Sequence, residues 1–140
     1  MEAIQVLAVQ KNITLQLNSA HTVDIFADKN QLKRLIINIL DNAIKYTQSG
    51  GRISIDLRQQ KNTADIEISD DGIGIPESEL PHIFDRFYRV DKSRSSIGFG
   101  LGLSIAQSIA MAHGGKIYAR ANVPQGTIFT ISLPIKPKGA

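Results

Sequence analysis

At 140 residues, with 42% apolar and 21% charged side chains, the chain has the length and balance of one globular domain with a proper core. The net charge of +3 is mild and the Lys and Arg residues are scattered, so a small polyanion is a better partner than a nucleic-acid backbone. The absence of cysteine removes disulfides, thiolate catalysis and cysteine-ligated metals and fits a reducing compartment. No apolar run approaches the roughly 20 residues that cross a bilayer, so no membrane contact is expected of this stretch.

Met1 to Val9 has the apolar spacing of an amphipathic helix, which predicts that residues 1–11 are the end of a helix arriving from a longer protein. Residues 1–140 together are expected to form a single domain. Residues 13–18 and 22–27 carry alternating or β-branched patterns and predict two short strands. Asp28 then has the place of an N-cap, with Gln31 three residues on reaching back to it, and a helix is expected to run to about Thr47. Its core stripe reads Leu32, Leu35, Ile36, Ile39, Leu40, Ala43 and Ile44. A different face carries Asn38, Asn42 and Lys45, two amides and an ammonium within reach of one anion. Taken alone, that face is as well read as a solvated polar stripe.

Ser49-Gly50-Gly51 stops the helix, and Arg52–Arg58 and Ala64–Ser69 alternate as a hairpin through Gln60-Lys61-Asn62. Asp70-Asp71-Gly72-Ile73-Gly74-Ile75-Pro76 follows directly. A buried carboxylate there could accept from an exocyclic amine such as that of adenine and would repel the guanine carbonyl, and the glycines would let backbone approach the base. The plainer reading is an Asp-Gly turn. Pro76 is placed to open a short helix.

Residues 88–99 have no clear period and are expected to be mobile. Within and beside them, Phe84, Phe87 and Tyr88 can anchor one end of a lid, while Arg86, Arg89, Lys92 and Arg94 can fold over a phosphate tail. Gly98-Phe99-Gly100-Leu101-Gly102 runs into a second helix that ends at His113-Gly114-Gly115, leaving backbone N–H groups uncovered at a helix N-terminus, where phosphate is the expected guest. Lys116–Ala121 and Thr127–Leu133 complete a final hairpin. The sum is an α+β two-layer sandwich, a mixed sheet of five or six strands with helices on one face.

In this order and spacing, the four segments resemble the N, G1, F and G2 boxes of the catalytic and ATP-binding domain of bacterial two-component sensor histidine kinases. Gly126-Thr127 is similar to the family's closing glycine-threonine pair. The resemblance implies the Bergerat ATP-binding fold shared with gyrase-like ATPases, with ATP and Mg²⁺ as cofactors. It implies that Asn42 ligates Mg²⁺, Asn38 supports phosphates and metal, Lys45 contacts phosphates and Tyr46 packs near the nucleoside. Asp70 would accept from the adenine amine with Thr127 holding a shared water, and Gly72, Gly74 and Ile75 would shape the base pocket. Gly98, Gly100, Leu101 and Gly102 would frame the triphosphate, with Arg89 on the γ-phosphate. The implied catalytic set is Asn38, Lys45 and Arg89.

The family's phosphoryl acceptor is a histidine on a separate dimerising helical domain, and no matching motif occurs here. His21, His82 and His113 are expected to be structural. The implied partners are that domain of the same kinase and, through the full kinase, a response regulator; the isolated chain is expected to be monomeric and cytoplasmic. One departure is Pro124-Gln125-Gly126-Thr127 where the family often has Gly-x-Gly-Thr. The competing readings are a hydrolytic ATPase of the same fold and a catalytically silent nucleotide-binding module. The hydrolytic relatives place a glutamate base where this chain has Asn38, and a neutral amide cannot take a proton from water.

Overall fold

The computed structural model describes residues 8–18, 25, 27–85 and 102–135. Residues 8–10 are helical and end in a glycine-type stop built without glycine. Asn12 takes φ +60, while Ile13 N–H donates to Ala8 O at 2.8 Å and Asn12 N–H to Val9 O at 3.0 Å. Residues 1–7, which carry most of the helix expected over 1–11, lie outside the description.

The elements are β1 (Thr14–Leu17), α1 (Lys29–Tyr46), β2 (Arg52–Gln59), β3 (Thr63–Asp70), a 3-10 turn (Leu80–His82), α2 (Gly102–Ala112), β4 (Lys116–Ala121) and β5 (Thr127–Pro134). The sheet order is β1-β2-β3-β5-β4, with β1 and β2 parallel and every other pair antiparallel. The expected mixed sheet is thus present with five strands. Of the strand expected over 22–27, only Ile25 and Ala27 are described, and neither is in a strand. Among the described residues, no helix is long and apolar enough to cross a membrane.

Strand alternation builds the core. Ile53 and Ile55 of β2, Ala64 and Ile68 of β3, and Phe129, Ile131 and Leu133 of β5 all point to one face and are buried. Leu35, Ile39, Leu40, Ala43 and Ile44 of α1 and Ala106, Ile109 and Ala110 of α2 close over that face. Phe84 meets Phe129 edge to face, with ring centres 6.3 Å apart. The opposite face is polar: Glu67 lies between Arg58 and Arg120 at 3.6 and 3.5 Å, and Asp65 accepts from Ser132 Oγ at 2.8 Å.

Two details correct the sequence reading. Asp28 caps α1 through its carboxylate, accepting from Asn30 and Gln31 N–H at 3.0 and 3.1 Å. The reciprocal bond expected from the Gln31 side chain is replaced by a distant one, since Asp28 N–H donates to His113 Nε2 at 3.1 Å. The helix expected to open at Pro76 is instead a β-turn, closed by Glu79 N–H to Pro76 O at 2.8 Å, followed by the 3-10 turn. Pro81 has no N–H with which to continue an α-helical ladder from Glu77, so the segment tightens.

The end of α2 follows its glycines. Gly115 N–H donates to Ala110 O and Gly114 N–H to Met111 O, with Gly114 at φ +78. This places His113 between two helices: its Nδ1 lies 2.9 Å from Ile109 O while Nε2 accepts from Asp28, an arrangement that requires the Nδ1–H tautomer. His113→Phe should therefore lower stability by about 1–2 kcal/mol through loss of both links. Urea unfolding of the variant at neutral pH would show it, and an unchanged midpoint would refute this role for the imidazole.

Candidate functional site

Period-two alternation carries a charge into the core. Asp70 closes β3 on the same face as Ala64 and Ile68, opposite Ile53 of β2, and its side chain is 3% exposed. The register of β3 with β5 ends at Ser69 opposite Ile128, so the next step sets Asp70 across from Thr127, itself buried. Gly72 N–H donates to Asp70 Oδ1 at 2.9 Å and Thr127 N–H to the same oxygen at 3.2 Å. Among the described residues Oδ2 accepts no hydrogen bond, which leaves it able to take a further donor. Burial pushes the Asp70 carboxyl above its ordinary value; the Gly72 and Thr127 N–H groups oppose this, and the neighbouring Asp71 charge adds to it.

The backbone around Asp70 is held from both sides. Asn122 Nδ2 donates to Asp70 O at 2.9 Å, Gln125 Nε2 donates to Asp71 O at 3.0 Å, and Asn122 N–H donates to Gly126 O at 3.0 Å. A Cβ on Gly126 would fall 1.9 Å from Asp70 O, and Gly126 has φ +110, so only glycine fits there. The proline at 124 therefore leaves the closing glycine-threonine pair able to reach the carboxylate. Asp71 is structural: its Oδ1 accepts from Arg52 N–H at 2.9 Å and extends the β2–β3 pairing past the strand end.

The loop after Asp70 is fastened to the end of α1. Ile73 N–H donates to Tyr46 O at 3.1 Å, and a Cβ on Gly72 would lie 2.2 Å from the same carbonyl. Asp70, Gly72 and Gly74 are thereby brought against the last turn of the helix that carries Asn42, Lys45 and Tyr46, with Asn38 one turn earlier. Asn38, Asn42, Lys45 and Tyr46 are all partly buried. Asn38 Nδ2 is a buried donor with no hydrogen-bond partner among the described residues. Lys45 Nζ pairs with Asp41 at 3.3 Å. Ile75 packs partly buried against the core. Gly102 opens α2 with no atom within 4 Å of where a Cβ would stand. Arg89, Gly98, Gly100 and Leu101, with the rest of the expected lid over 88–99, lie outside the described residues.

An orphaned amide inside a half-buried face marks where a polar guest belongs. An amide can turn either end inward, so Asn38 suits a phosphate oxygen or a cation, and the Asn42 amide oxygen suits a hard cation that takes its other ligands from phosphate and water. Among the described residues, no three His, Cys, Asp or Glu side chains cluster to hold a metal by themselves. A divalent cation is consistent with this set only in company with a phosphate group. Sequence reasoning missed Asn122 and Gln125, whose polar turn composition was the sole local signal. It also missed Lys11, whose Nζ donates to Ile44 O at 2.7 Å and Lys45 O at 2.9 Å across 33 and 34 residues, a contact with no local signature.

Comparison with known proteins agrees with this geometry. Residues 27–137 match the family model of histidine kinase-, DNA gyrase B-, and HSP90-like ATPases. The sensor histidine kinase RppB of Synechocystis sp. is 43% identical over 132 residues, which is 92% of this chain and 29% of that protein. The solved mycobacterial sensor histidine kinase MprB superposes with a TM-score of 0.81 at 33% identity, covering 97% of this chain and 93% of the other. Full-length ShkA, solved in complex with AMPPNP, superposes with a TM-score of 0.83 at 25% identity over 99% of this chain and 29% of the other. The chain thus spans less than a third of the length of the curated relatives it matches. With its mixed five-stranded sandwich and these matches, the chain belongs to the histidine kinase-, DNA gyrase B- and HSP90-like ATPase family, on its sensor histidine kinase branch.

Proposed function

We propose that the chain binds Mg-ATP and donates the γ-phosphoryl group to a histidine on the dimerisation domain of its own kinase, for onward transfer to a response regulator in the cytoplasm. The observation that carries this reading is Asp70, an inward-facing carboxylate with one oxygen held by two backbone N–H groups and the other accepting no hydrogen bond among the described residues. An amine is the complement of that oxygen, and adenine presents one where guanine presents a carbonyl.

Within this reading Gly72 and Gly74 carry the backbone along the base and Thr127 shares water with Asp70. Asn38 and Lys45 meet phosphate oxygens, and Arg89 meets the γ-phosphate. Asn42 would hold Mg²⁺, which when bound offsets the negative charge of the phosphates. Transfer forms a phosphorus–nitrogen bond as the bond to the ADP oxygen breaks, and the acceptor imidazole gives its proton to an acidic neighbour on the acceptor domain. The protein's share is positioning and neutralisation, for which amides, cations and backbone N–H groups suffice.

Both ring nitrogens of His113 are engaged in the fold, which argues against it as the phosphoryl acceptor. His82 Nδ1 lies 3.4 Å from Asp85 Oδ2 in the loop before Phe84. Asn38 in place of an acidic base argues for slow hydrolysis by the chain alone.

Calorimetric titration with a non-hydrolysable ATP analogue should give Mg²⁺-assisted binding that GTP does not reproduce. Equal affinity for the two bases would refute the assignment of Asp70. Asp70→Asn presents an amide N–H₂ or loses the charge toward the adenine amine, and should weaken ATP-analogue binding by about 50-fold.

The same substitution should not destabilise the fold at neutral pH. Because the native Asp70 holds its proton more tightly than the unfolded chain, its contribution to stability falls as pH rises above 3.8 through the raised native value. Urea unfolding of parent and Asp70→Asn across that range should show the difference moving in the variant's favour with rising pH. A difference that moves the other way would mean that the carboxylate is net stabilised in the fold. Gly72→Ala should abolish nucleotide binding, since the new methyl must displace the Tyr46 carbonyl; retention of parental affinity would show that the loop can retreat without cost.

A further inference from the structure

A helix leaves its last four carbonyls without partners inside itself, and the end of α1 answers all four. Ala43 O accepts from Thr47 Oγ1 at 2.7 Å. Ile44 O accepts from Lys11 Nζ at 2.7 Å and from Thr47 N–H at 3.4 Å, and Lys45 O accepts from Lys11 Nζ at 2.9 Å. Tyr46 O accepts from Ile73 N–H at 3.1 Å. Two of these donors come from elsewhere in the chain: Lys11 from the stop of the helical turn at residues 8–10 and Ile73 from the loop that follows Asp70. The last turn of α1 is where they meet.

Lys11 is itself presented rigidly. It sits in the stop of the helical turn at residues 8–10, between Ala8, which is buried, and Asn12 at φ +60. On its far side Gly50 N–H donates to Asn12 O at 2.8 Å and Thr14 N–H to Gly51 O at 3.0 Å, tying this corner to the turn that leaves α1. An ammonium at a helix C-terminus also meets the negative end of the helix dipole, so the contact is favourable in charge as well as geometry. Its acceptors are the carbonyls of Ile44 and Lys45, and the carbonyl next in sequence holds Ile73 against Gly72, the donor to Asp70.

Resting on the nucleotide-binding reading above, we infer that Lys11 is a positioning residue for nucleotide recognition: by capping the last turn of α1 it sets the carbonyl that holds the Asp70–Gly74 loop. The helical turn at residues 8–10 is thereby joined to the loop after Asp70 through the Lys11 side chain, so a shift of that turn changes nucleotide affinity without itself touching the nucleotide.

The test uses the 140-residue chain with Lys11→Met, which keeps the stem and removes the ammonium, and Lys11→Arg, which restores a cation. Lys61→Met, in the exposed turn between β2 and β3, controls for loss of one positive charge. Lys11→Met should weaken binding of the ATP analogue about tenfold, with Lys11→Arg and Lys61→Met within about twofold of the parent. Amide exchange at Ile73 should quicken in Lys11→Met while exchange at Ile131, in the centre of the sheet, is unchanged. Parental affinity in Lys11→Met, or weakened binding with Ile73 exchange unaltered, would overturn the inference and leave the nucleotide reading standing. So would faster exchange at Ile131 to match Ile73, which would mean that the whole fold had loosened. A parent chain that bound no ATP analogue would overturn both.

Discussion

The carboxylate of Asp70 lies on the apolar side of the sheet, beside Ile53 and Ile68 with Thr127 across from it, and the surrounding architecture is arranged to tolerate it. Two backbone N–H groups converge on one oxygen, a glutamine and an asparagine hold the carbonyls of the Asp70–Asp71 pair, and a glycine at 126 allows β5 to begin within contact of β3. A buried charge this poorly solvated costs stability. Its retention on the inner face is physically sensible where a ligand supplies the missing donor, and the orphaned amide of Asn38 on the adjoining helix has the same character.

The second constraint is the end of α1. Helix-end carbonyls demand partners, and here the demand is met by Thr47, by Lys11 and by the loop that follows the buried carboxylate. One structural requirement therefore does two things at once: it completes the helix, and it locks the loop after Asp70 to the helix that carries Asn42 and Lys45. Gly72 is the geometrical condition for this closeness, since any side chain there would collide with Tyr46 O.

Much of the fold was legible because its signals are local. The Asp28 cap, the apolar stripe of α1, the alternation of β2 and β3 and the glycine stop of α2 each depend on neighbours within a turn or a strand, and the structure has them within a residue or two of expectation. The departures arise where a distant group outbids a local one. His113 displaced the expected Gln31 bond at Asp28 N–H because the Schellman turn at Gly114 brings the imidazole onto the cap. The turn at Pro76 failed to become a helix because Pro81 interrupts the ladder.

The chain's residues by themselves determined which groups were available: an alternating strand that ends in an aspartate necessarily turns it to the core face, and amides four residues apart necessarily share a helix face. They also determined the family, because the four motifs occur in a definite order. Only the tertiary structure decided that Asp70 Oδ1 is shared by Gly72 and Thr127, that Asn122 and Gln125 brace the loop, and that Lys11 closes α1. Those contacts join residues tens of positions apart. Strand pairing and helix docking create that proximity by burying apolar surface, and periodicity along the chain carries no record of it.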